Sequence, residues 1–104
     1  MNYKEVLQDA IKVYGPELQQ IIAIEEMSEL QKEICKNKRG RDNIGQIAEE
    51  IADVLICIDQ LKIMFDIEEL VEEWKNAKVM RLNNRIAKTL YDRQTRRAEN
   101  EKRV

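Results

Sequence analysis

The sequence predicts an all-α protein, an antiparallel bundle of about four helices. Among its 104 residues only three are glycine and one is proline, the two residues that most often interrupt helices. Aromatic residues, which favour strands, make up 5% of the chain. Apolar residues recur every three or four positions along most of the sequence, and the breaks between these stretches are short. Short connections between amphipathic helices are typical of antiparallel bundles.

The first two helices are separated by a glycine and a proline. The pattern predicts a short helix over Tyr3–Tyr14 that stops at Gly15. Pro16 suits the first turn of the next helix, which we expect to reach Lys36. Residues 37–43 are polar and charged, with a break at Gly40, and therefore predict a loop.

The second half of the chain predicts two longer helices. Asp42 or Asn43 could cap a third helix that reaches Phe65. Asp66 is the candidate cap of a fourth, running from Ile67 to about Leu90. Residues 91–104 contain almost no apolar side chains after Tyr91, so they form either a fraying helical extension or a disordered tail. We therefore assign residues 1–90 to one domain and residues 91–104 to a charged tail or helical extension.

Composition excludes several functional classes. The formal net charge is -2, which argues against a dedicated nucleic-acid binder because such proteins are normally basic. The chain contains no histidine, so Ser-His catalysis, histidine-bearing zinc sites and the Glu-x-x-His pattern of di-iron bundles are excluded. Carboxylates and basic side chains must carry any chemistry.

The sequence also predicts a cytoplasmic location. Lys4, Glu5 and Asp9 interrupt the first ten residues, so we expect no secretory signal peptide. No apolar run approaches the length that crosses a membrane, so no membrane partner is expected. Cys35 and Cys57 lie inside predicted helices without motif spacing, and we read both as small buried or half-buried residues in a reducing environment.

Two acidic clusters of the same shape lie 24 residues apart, at residues 25–29 and 49–53. Each places two carboxylates three residues apart on an otherwise apolar helical face: Glu26 with Glu29, and Glu50 with Asp53. Burying an unpaired carboxylate costs several kcal/mol. The four acids therefore predict a counter-charge between the second and third helices.

A divalent cation is the counter-charge that we favour. Converging carboxylates repel one another, and a hard dication relieves that repulsion. A set made only of carboxylates suits Mg²⁺, or Mn²⁺, rather than zinc. A buried salt-bridge network with Lys78 and Arg85 is the alternative. Glu25, Glu33 and Glu49 lie off the apolar faces or at their edges, and we read them as solvated side chains.

The paired motif resembles the signature of MazG-like nucleotide pyrophosphohydrolases, which belong to the all-α NTP pyrophosphatase superfamily. The similarity lies in Glu26-x-x-Glu29, a gap of 20 residues and Glu50-x-x-Asp53. The preceding acids, Glu25 and Glu49, and the following apolar residues, Leu30, Val54 and Leu55, are also similar. The resemblance covers roughly residues 16–85, most of the chain.

This resemblance implies Mg²⁺-dependent hydrolysis of a nucleoside triphosphate, often a deoxy form, to the monophosphate and pyrophosphate. It places the metal on Glu26, Glu29, Glu50 and Asp53. It also implies assembly into a homodimer or homotetramer, which suits a chain too short for a large core of its own. Housecleaning of aberrant nucleotides and tuning of a nucleotide pool both remain open as roles.

The resemblance also implies a phosphate-binding basic residue on the following helix. Lys78 lies at the centre of the apolar stripe of that helix and matches this role best. Arg81, Asn84 and Arg85 are further candidates for substrate binding. As a hypothesis for the reaction, we assign catalytic roles to Glu29, Glu50 and Lys78, with Glu29 orienting or deprotonating the attacking water.

Two rival functions remain. The chain could be a non-catalytic helical adaptor or oligomerisation module, in which the acids pair with Lys78 and Arg85. It could also be a degenerate relative that senses nucleotides without hydrolysing them. Stabilisation by Mg²⁺ separates the metal site from the adaptor, and nucleotide binding without product would identify the sensor.

Overall fold

The computed structural model describes residues 1–103 and confirms the all-α class. These residues form four α-helices and no strand: α1 Tyr3–Tyr14, α2 Pro16–Lys38, α3 Ile44–Phe65 and α4 Glu68–Lys102. Helix α1 has the predicted bounds, and α2 extends two residues beyond the predicted end.

Local chemistry explains where α1 and α2 begin. Asn2 caps α1, since its side-chain oxygen accepts a hydrogen bond of 3.0 Å from the backbone N–H of Glu5. Gly15 then takes a positive φ of 88°, which a residue with a β-carbon adopts only with strain, and turns the chain sharply. Pro16 opens α2 at the position where its missing N–H is not needed.

Helices α2 and α3 form an antiparallel hairpin. Asn43, the residue before α3, contacts Glu33 of α2, and Glu50 of α3 faces Glu26, which lies earlier in α2. From the first contact to the second, the residue number rises by seven on the α3 side and falls by seven on α2. The two helices therefore run in opposite directions. Helix α1 packs against both members of the hairpin, and the Tyr3 hydroxyl donates a 2.7 Å hydrogen bond to Asp59 of α3.

Asp66 corrects one prediction. It does not cap α4; it ends α3 in the left-handed conformation (φ 53°, ψ 49°), and its N–H donates to the carbonyl oxygens of Ile63 and Lys62. Aspartate tolerates this conformation better than most residues.

Helix α4 begins at Glu68 and continues to Lys102, well past Leu90. The segment 68–102 contains no glycine or proline, so nothing in it interrupts the helix. The predicted segment 91–104 is thus helical up to Lys102, and Val104 lies outside the described residues.

The chain divides into two compact units. Met1–Ile67 holds α1, α2 and α3, and the second unit begins at Glu68 and holds α4. Among residues 1–103, the buried apolar side chains all lie in the first unit: Leu7, Ala23, Val54 and Cys57. Along α4, within residues 68–102, no side chain is buried, including those of the predicted stripe at Trp74, Leu82 and Ile86.

Two further expectations concern membranes and thiols. Within residues 1–103, every helix is too short or too polar to cross a membrane. Both cysteines are free thiols; Cys57 is buried as predicted, whereas Cys35 is exposed on α2.

Candidate metal centre

Three of the four predicted metal ligands converge between α2 and α3. Glu26 of α2 and Glu50 and Asp53 of α3 each offer a carboxylate oxygen, and these oxygens all lie within 4.8 Å of one another. We call these three residues the acidic triad. Two oxygens that share one cation at about 2.1 Å lie at most about 4.2 Å apart, so small side-chain rotations would bring all three oxygens onto a single cation.

The helical repeat explains why the triad forms. Glu50 and Asp53 are three residues apart and so share one face of α3. Val54 and Cys57, which are buried, lie on the same side of that helix. On α2, Ala23 is buried one turn before Glu26. The triad therefore lies beside buried positions on both helices.

The electrostatics of the triad favour a bound cation. All three side chains are half-buried. Oε2 of Glu50 is buried and has no hydrogen-bond partner among residues 1–103. Burial raises the pKa of Glu26 above its ordinary value, and the negative charges of Asp53 and Glu50 raise it further. A bound cation would strongly stabilise the ionised carboxylates, because it replaces the hydration that they lose on burial and cancels the repulsion between their negative charges.

The donor set fits a hard divalent metal. Three carboxylates supply only oxygen ligands, the type that Mg²⁺ and Mn²⁺ prefer. Cys57 lies next to the triad, and its pKa is raised by burial and then by the negative charges of Glu26 and Asp53. A thiol held in its neutral form is a poor metal ligand, so we do not include it among the ligands.

Glu29, the fourth predicted ligand, is not part of the triad. Its side chain is half-exposed, and one oxygen accepts a 3.1 Å ion-pair contact from Lys32. Exposed pairs of this kind contribute about 0–1 kcal/mol, so the carboxylate can leave Lys32 at little cost. The role of Glu29 as ligand or base therefore stays a prediction.

The raised pKa of Glu26 predicts how pH affects the metal-free protein. The folded state binds a proton more tightly than the unfolded state, so folding stability should fall as pH rises from about 4.5, the ordinary glutamate value, through the raised pKa. Glu26→Gln removes this titration. In EDTA, the difference in thermal midpoint between variant and wild type should grow in favour of the variant from pH 4.5 to pH 8. A difference independent of pH would contradict the assignment.

The predicted phosphate-binding residues all lie on α4. Lys78, Arg81, Asn84 and Arg85 are exposed, and their spacing places them along one side of that helix. The ammonium group of Lys78 lies 5.9 Å from the centre of the Trp74 ring, a cation–π distance. Since α4 forms a unit of its own, the roles of these four residues stay predictions.

Sequence reasoning missed a pair of residues at the loop that joins α2 and α3. Asn43 donates through Nδ2 to the Glu33 backbone carbonyl at 2.8 Å and to its carboxylate at 2.6 Å. Lys36 contacts the other carboxylate oxygen of Glu33 at 3.1 Å. The sequence predicts a solvated Glu33, but its side chain is only 13% exposed. The signal was present in the spacing, because Glu33 follows Glu26 by seven residues and Asn43 precedes Glu50 by seven.

No protein-family model, curated protein or solved structure matches this chain closely enough to assign it to a family.

Proposed function

We propose that this protein is a Mg²⁺-dependent nucleoside triphosphate pyrophosphohydrolase that converts an NTP or dNTP to the monophosphate and pyrophosphate. The observation that carries the proposal is the acidic triad, with its three oxygens within 4.8 Å of one another and a buried Glu50 oxygen that has no hydrogen-bond partner in the described part of the chain. The resemblance of the paired acidic motif to MazG-like enzymes supplies the reaction class.

In the proposed reaction, a water oxygen forms a bond to the α-phosphorus as the bond from that phosphorus to the bridging oxygen breaks. Pyrophosphate leaves with the electron pair. When bound, Mg²⁺ would supply positive charge to the phosphate oxygens and acidify a water molecule. Glu29, which is half-exposed and near the triad in sequence, would accept the proton of the attacking water.

The basic residues of α4 complete the proposal. A triphosphate carries several negative charges, and the chain has no glycine-rich loop to hold them with backbone N–H groups. We assign phosphate binding to Lys78, Arg81 and Arg85, with Asn84 as an additional hydrogen-bonding group. Lys78 would also neutralise charge that develops on the phosphates during the reaction.

Product analysis tests this function. The full chain is incubated with a panel of NTPs and dNTPs, with Mg²⁺ or with EDTA, and the products are separated by anion exchange. We expect monophosphate and pyrophosphate in equal amounts, only with Mg²⁺. Diphosphate and inorganic phosphate would show attack at the γ-phosphorus and would overturn the proposal. Nucleotide binding without any product would favour the sensor instead.

We further propose that the functional form is a homodimer or homotetramer. Each unit by itself exposes large apolar side chains: Ile24 and Leu55 of the first unit are 69% and 56% exposed, and Met80 of the second is 68% exposed. Contact with a second chain would cover such side chains. No apolar side chain of the described core is less than 2% exposed, so the first unit has little interior of its own.

One surface fits a second copy of the chain. The outer face of α3, opposite the triad, carries exposed apolar residues at alternating spacings of four and three, the pattern of a helix–helix seam. It comprises Ile44, Ala48, Ile51, Leu55 and Ile58. Such a surface is self-complementary, as a two-fold dimer requires.

Sedimentation equilibrium tests the assembly. Leu55 is 56% exposed, so Leu55→Glu should not disturb the fold of one chain, but it would bury a charge in the seam. We expect the wild type to be dimeric or tetrameric and Leu55→Glu to dissociate at least tenfold more readily. Gln46→Glu, an exposed change on the same helix, is the control and should assemble normally. A monomeric wild type would contradict the proposal.

A further inference from the structure

The hydrogen-bonded pair Glu33 and Asn43 lies on the same helical seam as the acidic triad. Glu33 is seven residues beyond Glu26 on α2, and Asn43 is seven residues before Glu50 on α3. Seven residues are almost two helical turns, or about 10.5 Å along the axis. The pair therefore faces across the hairpin in the same way as Glu26 and Glu50, two turns nearer the loop.

The contacts of Glu33 with Asn43 are suited to fixing the position of α3 relative to α2. Asn43 is only 3% exposed, and its two bonds to Glu33 reach both the backbone and the carboxylate of α2. The bond to the carboxylate is charge-assisted, and it is the main reason that the pKa of Glu33 is lowered. The contact joins the two helices rather than two neighbouring turns of one helix.

Asn43 makes this contact instead of the usual side-chain cap of its own helix. It is the residue before the first turn of α3, where an asparagine side chain usually accepts a hydrogen bond from the helix N-terminus. Here it makes no such cap, and its Oδ1 is buried without a partner among residues 1–103. A missing cap destabilises a helix, so the side chain bonds to α2 at the expense of its own helix.

The acidic triad needs an accurate register between α2 and α3. A slip of one residue moves a helix by 1.5 Å and turns its side chains by about 100°. Mg²⁺ tolerates little deviation from octahedral geometry at 2.0–2.1 Å, whereas Ca²⁺ accepts longer and more variable bonds. Mutual repulsion among the three carboxylates also pushes the helices apart when no cation is bound.

We propose that Glu33 and Asn43 are positioning residues that set the register of α2 against α3 and so align Glu26 with Glu50 and Asp53 for Mg²⁺. This inference rests on the proposed metal site. Neither residue belongs to the triad, so their effect is exerted through the helices.

Metal titration of the full chain tests the proposal. Mn²⁺ binding is followed by electron paramagnetic resonance, and Mg²⁺ and Ca²⁺ affinities are obtained by competition, at a temperature where circular dichroism shows every variant folded. Asn43→Asp keeps a residue that caps helices well but sets a carboxylate against that of Glu33. We expect Mn²⁺ affinity to fall at least tenfold and the ratio of Mg²⁺ to Ca²⁺ affinity to fall with it, which a purely structural role would not cause.

A reciprocal exchange and a matched control complete the experiment. The double variant Glu33→Gln/Asn43→Asp reverses donor and acceptor in the side-chain bond but does not restore the bond to the backbone carbonyl of residue 33, so part of the lost affinity should return. Asn37→Asp adds the same charge in the last turn of α2 and should bind Mn²⁺ as the wild type does.

The possible failures are distinguishable. Wild-type affinity and selectivity in Asn43→Asp, or an equal loss in Asn37→Asp, would overturn the positioning role alone. A wild type that binds no Mn²⁺ would overturn the metal site and this inference together.

Discussion

Glu50→Gln should abolish Mg²⁺-dependent turnover while leaving the helical fold intact. The substitution removes one triad carboxylate and its buried, unpartnered oxygen but keeps the shape of the side chain. Replacing a residue that only supports a metal ligand typically lowers metal affinity or activity about 10–100-fold. Losing a ligand itself should therefore lower kcat/KM by at least about 100-fold. Pyrophosphate release at saturating Mg²⁺ measures the effect.

Glu49→Gln is the matched control. Glu49 is the neighbouring residue, is exposed and does not belong to the triad. Exposed substitutions usually change free energies by less than about 0.5 kcal/mol, so kcat/KM should stay within about twofold of the wild type. Equal loss in both variants, or full activity in Glu50→Gln, would show that the triad is not the site of the chemistry.

Mg²⁺ should raise the thermal stability of the protein substantially. A ligand that binds only the folded state at 100 times its dissociation constant adds about 2.7 kcal/mol. For a chain of this size that corresponds to a rise in Tm of roughly 10 °C or more. The comparison is made between Mg²⁺ and EDTA at matched ionic strength, by differential scanning calorimetry.

Asp53→Asn identifies the source of that stabilisation. The variant removes one triad charge, so its metal-free form should be at least as stable as the wild type, and its response to Mg²⁺ should be lost. The adaptor alternative predicts the same Tm in Mg²⁺ and EDTA for the wild type. That result would remove the basis for the proposed reaction.

The sequence predicted the parts of the fold that depend on local spacing. Glycine, proline and helical periodicity located α1, α2 and α3 to within two residues, because these signals act over one or two turns. Asp66 was misplaced because aspartate suits both a helix N-terminus and a left-handed C-terminal position, and the sequence alone does not distinguish them. Segment 91–102 was ambiguous because its charges are compatible with both a helix and a disordered tail.

The candidate site was predictable to the extent that it follows from helix faces. The convergence of Glu26, Glu50 and Asp53 follows from the twin acidic motif on two neighbouring helices. The contact of Glu29 with Lys32 depends on a side-chain rotamer that periodicity does not specify. The pairing of Glu33 with Asn43 depends on the register of the hairpin, and the seven-residue spacing indicates it only once Glu26 is known to face Glu50.

The orientation of α3 shows a further limit. Residues 51–58 are apolar at every position except Asp53, so hydrophobicity alone does not say which face of α3 turns inward. In the structure Val54 and Cys57 are buried, whereas Leu55 is 56% exposed. Asp53 marks the inner side of α3, because its carboxylate lies within 4.8 Å of those of Glu26 and Glu50.

The central claim is that a divalent cation binds between Glu26, Glu50 and Asp53. Anomalous diffraction from crystals grown with Mn²⁺ tests it most directly, at a wavelength near the manganese absorption edge. We predict a peak within about 2.2 Å of one carboxylate oxygen of each triad residue. A folded protein whose peak lies elsewhere, or whose triad is filled by a lysine or arginine side chain, would contradict the account.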